Sequence, residues 1–150
     1  MGDEKADKQY RSILSFNTSA IPEGATLASV TLKFKQTGLK GTNPFTDLGD
    51  ILVDLKKGAF GTKATLQLGD FKAKASKTAA MTITDAPVDG WYTGTLAPSD
   101  LALVSTTGTT QFRLRFTKDD NDDKLADYLK FASGNASLAN RPVLIVTYTP

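Results

Sequence analysis

Two-residue alternation between apolar and polar side chains restricts this chain more than any other feature, because it recurs along the whole length with turn chemistry in between. From Thr110 to Thr117, Phe112, Leu114 and Phe116 alternate with Arg113 and Arg115, and earlier Val30, Leu32 and Phe34 alternate with Thr31, Lys33 and Lys35. Successive side chains of a strand point to opposite faces, so each run has one face to bury and one to wet. Further strand signals run over Ser12 to Phe16, Ile51 to Leu55, Met81 to Thr84, Trp91 to Leu96, Tyr128 to Phe131 and Val143 to Tyr148, bounded by segments rich in Gly, Pro, Asn and Asp. About eight short strands predict an all-β fold: a two-layer antiparallel β-sandwich, jelly-roll-like, with one or two short helices in its connections. Phe16, Leu32, Phe34, Val53, Phe112, Leu114, Phe116, Leu144 and Val146 are the expected core.

Helical matter is confined to two places. In Leu68 to Ser76 the alanines and lysines favour helix and Asp70 can cap the following turn, and Pro98 to Val104 carries proline near a first helical position. The amphipathic crossover helices of a parallel α/β sheet are missing. No repeat or low-complexity linker divides the chain, so residues 1–150 are expected to form one module. Met1 is followed by Gly-Asp-Glu-Lys, not by a hydrophobic signal region, which reads as a trimmed start within a larger protein.

The residue inventory removes whole classes of chemistry. There is no cysteine and no histidine, which excludes disulfides, thiol nucleophiles, a Ser-His-Asp triad and the ordinary zinc or copper sites. Ser12, Ser15 and Ser99 have no nucleophile-elbow context, and no glycine-rich phosphate loop is present. Asp85 with Asp89, or Asp50 with Asp54, are the only pairs resembling the carboxylates of a glycoside hydrolase, and that chemistry depends on a spatial separation. The expectation is a protein that is not an enzyme.

One segment carries chemistry of its own. In Thr117 to Tyr128, Asp119, Asn121 and Asp123 stand at alternate positions and Asp127 follows four residues later. A tightly turned loop can wrap such oxygens around one hard cation, and calcium, which accepts six to eight oxygens in flexible geometry, fits best. Asp120 and Asp122 offer a different wrap. An EF-hand is excluded, because Lys124 and Lys130 occupy the places of its glycine and bidentate glutamate. The competing reading is a solvated acidic turn.

Five of the 16 acidic residues but only two of the 18 basic ones lie between Lys118 and Asp127, so the rest of the chain carries an excess of about five positive charges. Much of it falls on Lys56, Lys57, Lys63, Lys72, Lys74 and Lys77, either a solvated face or a patch attracting an anionic polymer. Trp91 and Tyr92 are adjacent, so on a strand they point to opposite faces: either both pack as core residues, or one does and the other is free to stack on a sugar ring. The candidate ligand-binding residues are therefore Trp91, Tyr92, Lys56, Lys57, Lys72 and Lys74. Arg113 and Arg115 share a strand face, where packing over the sheet or pairing with nearby acids is expected.

Several longer stretches resemble a known family: Gln9 to Phe16 (QYRSILSF), the IPEGAT turn and SVTLKF ending at Phe34, Phe112 to Phe116 (FRLRF), the DDNDD loop, Asp127 to Gly134 (DYLKFASG) and Arg141 to Val146 (RPVLIV). Together they look like DNRLRE-type domains over nearly the whole chain. The resemblance implies a non-catalytic module of secreted or cell-surface proteins, calcium, and kinship with carbohydrate-binding modules that recognise acidic polysaccharides. A structural or adhesive repeat without a glycan ligand is the alternative. The implied partner is a polysaccharide or other surface polymer, with no nucleic acid and no membrane insertion. Members of the family usually carry a further strand-forming segment before the position of Asp3. Its absence here predicts an exposed edge open to strand addition from another chain.

Overall fold

The computed structural model describes residues 1–6 and 8–150 and consists of two antiparallel sheets packed face to face. Among the described residues there are ten strands: β1 (Gly2–Glu4), β2 (Lys8–Tyr10), β3 (Ser12–Asn17), β4 (Thr26–Lys40), β5 (Ile51–Lys57), β6 (Lys77–Ile83), β7 (Trp91–Thr95), β8 (Thr109–Phe116), β9 (Tyr128–Phe131) and β10 (Val143–Thr149). One sheet runs β10-β4-β9-β1-β2, with β7 also paired to β4, and the other runs β3-β8-β5-β6. All eight strands expected from alternation are there; β1 and β2 are additional, for neither alternates.

The expected register is the observed one. Leu32, Phe34, Val53, Phe112, Leu114 and Phe116 are buried between the sheets, while Phe16, Leu144 and Val146 pack partly buried against them. Aromatic rings crowd one part of this interior: Tyr92 lies flat against Phe34 and Phe45, and Phe131 meets Phe34 edge-on at 4.9 Å. Offset and edge-on contacts of this kind add to the area that the rings bury.

β4 organises the first sheet. Its first part pairs with β10 and β7, and its last residues, Gln36 to Lys40, pair with β9 across a bulge. Beyond β9 the sheet thins, since the register of β1 with β9 is the single pair Gly2 opposite Tyr128 among the described residues, and β2 forms the edge. The chain then crosses at Arg11 into β3, the edge of the second sheet. One flank of the sandwich is thus closed by two edge strands and a single connecting residue.

The segment after β5 lies over the outer face of the second sheet. Arg113 on β8 donates to the carbonyls of Asp70 and Ala73, and Gln111 bonds the Phe60 amide and the Ala64 carbonyl, which buries Phe60 completely. Leu68 to Ser76 is accordingly not a helix beyond a 3₁₀ turn at Leu68–Phe71. Two carbonyls a longer helix would need are taken by Arg113, and Asp70 accepts from the preceding Gln67 amide, not from the turn that follows. Proline opens the second 3₁₀ turn, Pro98–Leu103, as expected, and a four-residue helix, Pro44–Asp47, capped by Asn43, stands where only a loop was predicted. Among the described residues no helix is long and apolar enough to cross a membrane.

Candidate functional site

The acidic loop does not form the ring that its spacing suggests. Its side chains turn back on its own backbone: the Asp122 amide donates to Asp120 Oδ1 (3.0 Å), the Asp123 amide to Asn121 Oδ1 (3.2 Å) and the Leu125 amide to Asp123 Oδ1 (2.7 Å). These are the bonds by which Asp and Asn stabilise turns, and Asp122 and Lys124 take positive φ angles within them. Asp119, Asp122 and Asp123 are exposed and Asp120 is half-buried. No group of three acidic residues among those described is placed to hold a metal ion.

Asp127 is different, and it has a partner that the sequence did not suggest. Asp127 and Asp3 are each 2% exposed. Asp3 Oδ1 accepts from the Asp127 amide at 3.1 Å, Asp3 Oδ2 from the Asn121 amide at 3.3 Å, and the Asp3 amide donates to the Asp127 carbonyl at 3.0 Å. Asp127 Oδ1 accepts from the Thr42 amide, while its buried Oδ2 has no hydrogen-bond partner among the described residues. Burial raises the Asp3 carboxyl above the usual carboxylate range. The two amides oppose that rise, and the charges of Asp127 and Asp123 add to it. Two glycines admit this packing: a β-carbon at Gly41 would strike the Asp127 carboxylate and the Ala126 carbonyl, and one at Gly2 the Asp127 carbonyl and Tyr128.

Next to this pair, on the thin flank, a groove of about 740 Å³ opens between β3 and β9. Phe34, Leu114 and Leu129 line it from the core, and Tyr10, Arg11, Tyr128 and Lys130 line it nearer the surface. Tyr10 and Tyr128 meet edge-on with centroids 5.5 Å apart, and Lys130 Nζ lies 6.0 Å from the Tyr128 ring. Arg11 is held in place over Phe71 at 4.1 Å and donates to Gln9 Oε1 and the Phe71 carbonyl. Among the described residues that line the groove there is no carboxylate.

The other candidates are spread over the molecule. Tyr92 lies in the core, 2% exposed, its hydroxyl bonded to Asp85 at 2.8 Å, so it offers no platform. Burial, then that hydrogen bond and the Asp85 charge, raise its hydroxyl far above the usual tyrosine range. Trp91 faces outward from the first sheet, half-buried beneath Lys33 and Lys35, whose Nζ atoms lie 5.4 and 5.7 Å from its ring. Lys56 and Lys57 are on β5 of the opposite sheet, and Lys72 and Lys74 are in the segment that covers that sheet. Trp91 and these lysines therefore do not share a face.

Of the carboxylate pairs considered for hydrolysis, Asp54 is occupied by structure. It is 1% exposed and bonds Arg113 at 2.8 Å and Arg115 at 3.4 Å, as expected of two arginines on one strand face. Burial alone would raise its carboxyl, but the Ala79 amide and the two guanidinium groups together hold it below the usual range. Asp85 accepts from Tyr92 and Asn43, and Asp89 sits exposed in a turn. Asp3, Tyr10, Arg11, Tyr128 and Lys130 were not singled out as site residues from sequence, since what joins them is pairing between β1, β2 and β9.

No protein-family model, curated protein or solved structure matches the chain.

Proposed function

We propose that this chain is a non-catalytic, carbohydrate-binding-module-like domain that takes a stretch of acidic polysaccharide into the groove between β3 and β9. The observation that carries the reading is the lining of that groove: two tyrosine rings and two cations, with no carboxylate among the described residues, in a cavity of about 740 Å³. Ligand pockets span roughly 300 to 1,000 Å³ and combine apolar walls with a few placed polar groups. Sugar C–H faces stack on aromatic rings, and the carboxylates of a uronate pair with Arg11 and Lys130. The resemblance to DNRLRE-type domains supports the same ligand class. A calcium ion belongs to this reading as a stabiliser of the fold, not as a reagent. One oxygen donor for it is the buried Asp127 Oδ2, which has no hydrogen-bond partner among the described residues. Secretion or display at a cell surface goes with such a ligand.

Affinity electrophoresis tests this reading. The parent should be retarded by a polyuronate and not by a neutral glucan, Tyr128→Ala and Lys130→Ala should lose most of the retardation, and Trp91→Ala should keep it. Equal migration in both gels refutes the reading.

A second reading, a structural or adhesive module, is favoured by one observation. Among the described residues β3 pairs with β8 alone, so its outer edge, which borders the groove, has no strand partner there. A strand from another chain would add there, and concentration-dependent self-association without sugar would be its sign.

A further inference from the structure

Resting on the calcium-stabilised reading above, we propose that the cation is held by Asp3 and Asp127, not by the alternate residues of the loop, and that it fastens β1 to the strand forming one wall of the groove. Three observations converge. First, Asp127 is 2% exposed and its Oδ2 has no hydrogen-bond partner among the described residues, and a carboxylate oxygen removed from water without a partner is costly. Second, Asp3 is equally buried beside it, and among the described residues each of its oxygens accepts one amide hydrogen bond, which leaves a second lone pair on each oxygen. Third, Asp119 and Asp123, on which the alternate-residue wrap relies, are exposed to water, whereas Asp3 and Asp127 are not.

Two buried carboxylates on residues joined by main-chain and side-chain hydrogen bonds repel, and an oxygen-seeking divalent cation removes that repulsion while satisfying the lone oxygen. Calcium suits the place because its shell is flexible and can be completed by water and main-chain carbonyls. The consequence reaches the groove. β1 and the residue before it hold β9 and the residue before it through the Gly2–Tyr128 register, the bonds from the Asp3 amide to the Asp127 carbonyl and from the Leu129 amide to the Met1 carbonyl, the bond from the Met1 ammonium to the Leu129 carbonyl and that from the Asp127 amide to Asp3 Oδ1. A cation shared by Asp3 and Asp127 would make this narrow junction rigid, and Tyr128, the next residue, would be fixed in the groove wall.

The test uses calcium alone, with no sugar present. Melting curves in chelator and in millimolar calcium are compared for the parent, Asp3→Asn, Asp127→Asn and Asp123→Ala. The parent midpoint should rise by several degrees, Asp123→Ala should respond as the parent does, and both asparagine variants should not respond. Should an asparagine variant fail to fold, hydrogen exchange on the parent gives an independent answer. Calcium should slow exchange of the Gly2–Glu4 and Tyr128–Phe131 amides by about tenfold or more. A calcium response that survives in Asp3→Asn but vanishes in Asp123→Ala, or protection confined to residues 119–123, overturns this site and leaves the calcium reading standing. A parent indifferent to calcium overturns both.

Discussion

Asp54 shows how far a single side chain can be understood here. It is a buried acid between two arginines, and removing one member of such a group leaves the others uncompensated. Asp54→Ala should cost about 3–5 kcal/mol of unfolding free energy, measurable by urea denaturation. Its carboxyl is lowered in the fold, so its contribution is complete above the ordinary aspartate value, about 3.9, and fades as pH falls from there through the lowered value. The acid limb of the stability profile should therefore be shallower in Asp54→Asn than in the parent. Gly41 offers a second check, because it takes a φ of +70° and has no room for a β-carbon. Gly41→Ala should cost about 1–3 kcal/mol in the same denaturation experiment. Residues of this kind are the least legible in sequence. The spacing of Asp119, Asn121 and Asp123 is equally the spacing of side chains that cap their own turns. Asp3 is buried only because it pairs with a residue 124 positions away.

Among elements, those with alternation were legible and those without were not. β8 and β4 declare their buried faces through Phe112, Leu114, Phe116 and Val30, Leu32, Phe34. β1 and β2 are three residues each and mostly polar, so nothing in them announces a strand, yet they place Asp3 and Tyr10. The segment after β5 was misread for a related reason: its alanines and lysines favour helix, but Arg113 claims its carbonyls from the sheet below. Phe60 fastens that segment, fully buried with the Arg113 guanidinium 4.5 Å from its ring. Phe60→Ala should cost about 3–5 kcal/mol. In hydrogen-exchange experiments residues 58–76 should then lose protection while β4 and β10 keep theirs.

At the scale of the molecule, the sandwich and the placing of its core follow from alternation and turn chemistry, whereas the groove arises from the unequal way in which the two sheets end. β2 and β3 leave a flank joined only through Arg11, and the side chains gathered there come from segments more than a hundred residues apart. Lysines counted along the chain pointed instead to Lys56 through Lys77, which the fold places on the opposite sheet and its cover. Because Lys130 is exposed, binding of a polyanion at the groove should weaken with salt once the Debye length falls below about 8–10 Å, and retention at rising ionic strength would measure it. The most direct measurement is a titration of isotopically labelled protein with a short oligouronate, followed through its amide resonances. Progressive shifts are expected at Tyr10, Arg11 and Tyr128 to Phe131, with the amides around Trp91 unmoved. Shifts centred on Trp91, Lys33 and Lys35, or none at saturating sugar, would contradict binding at the groove.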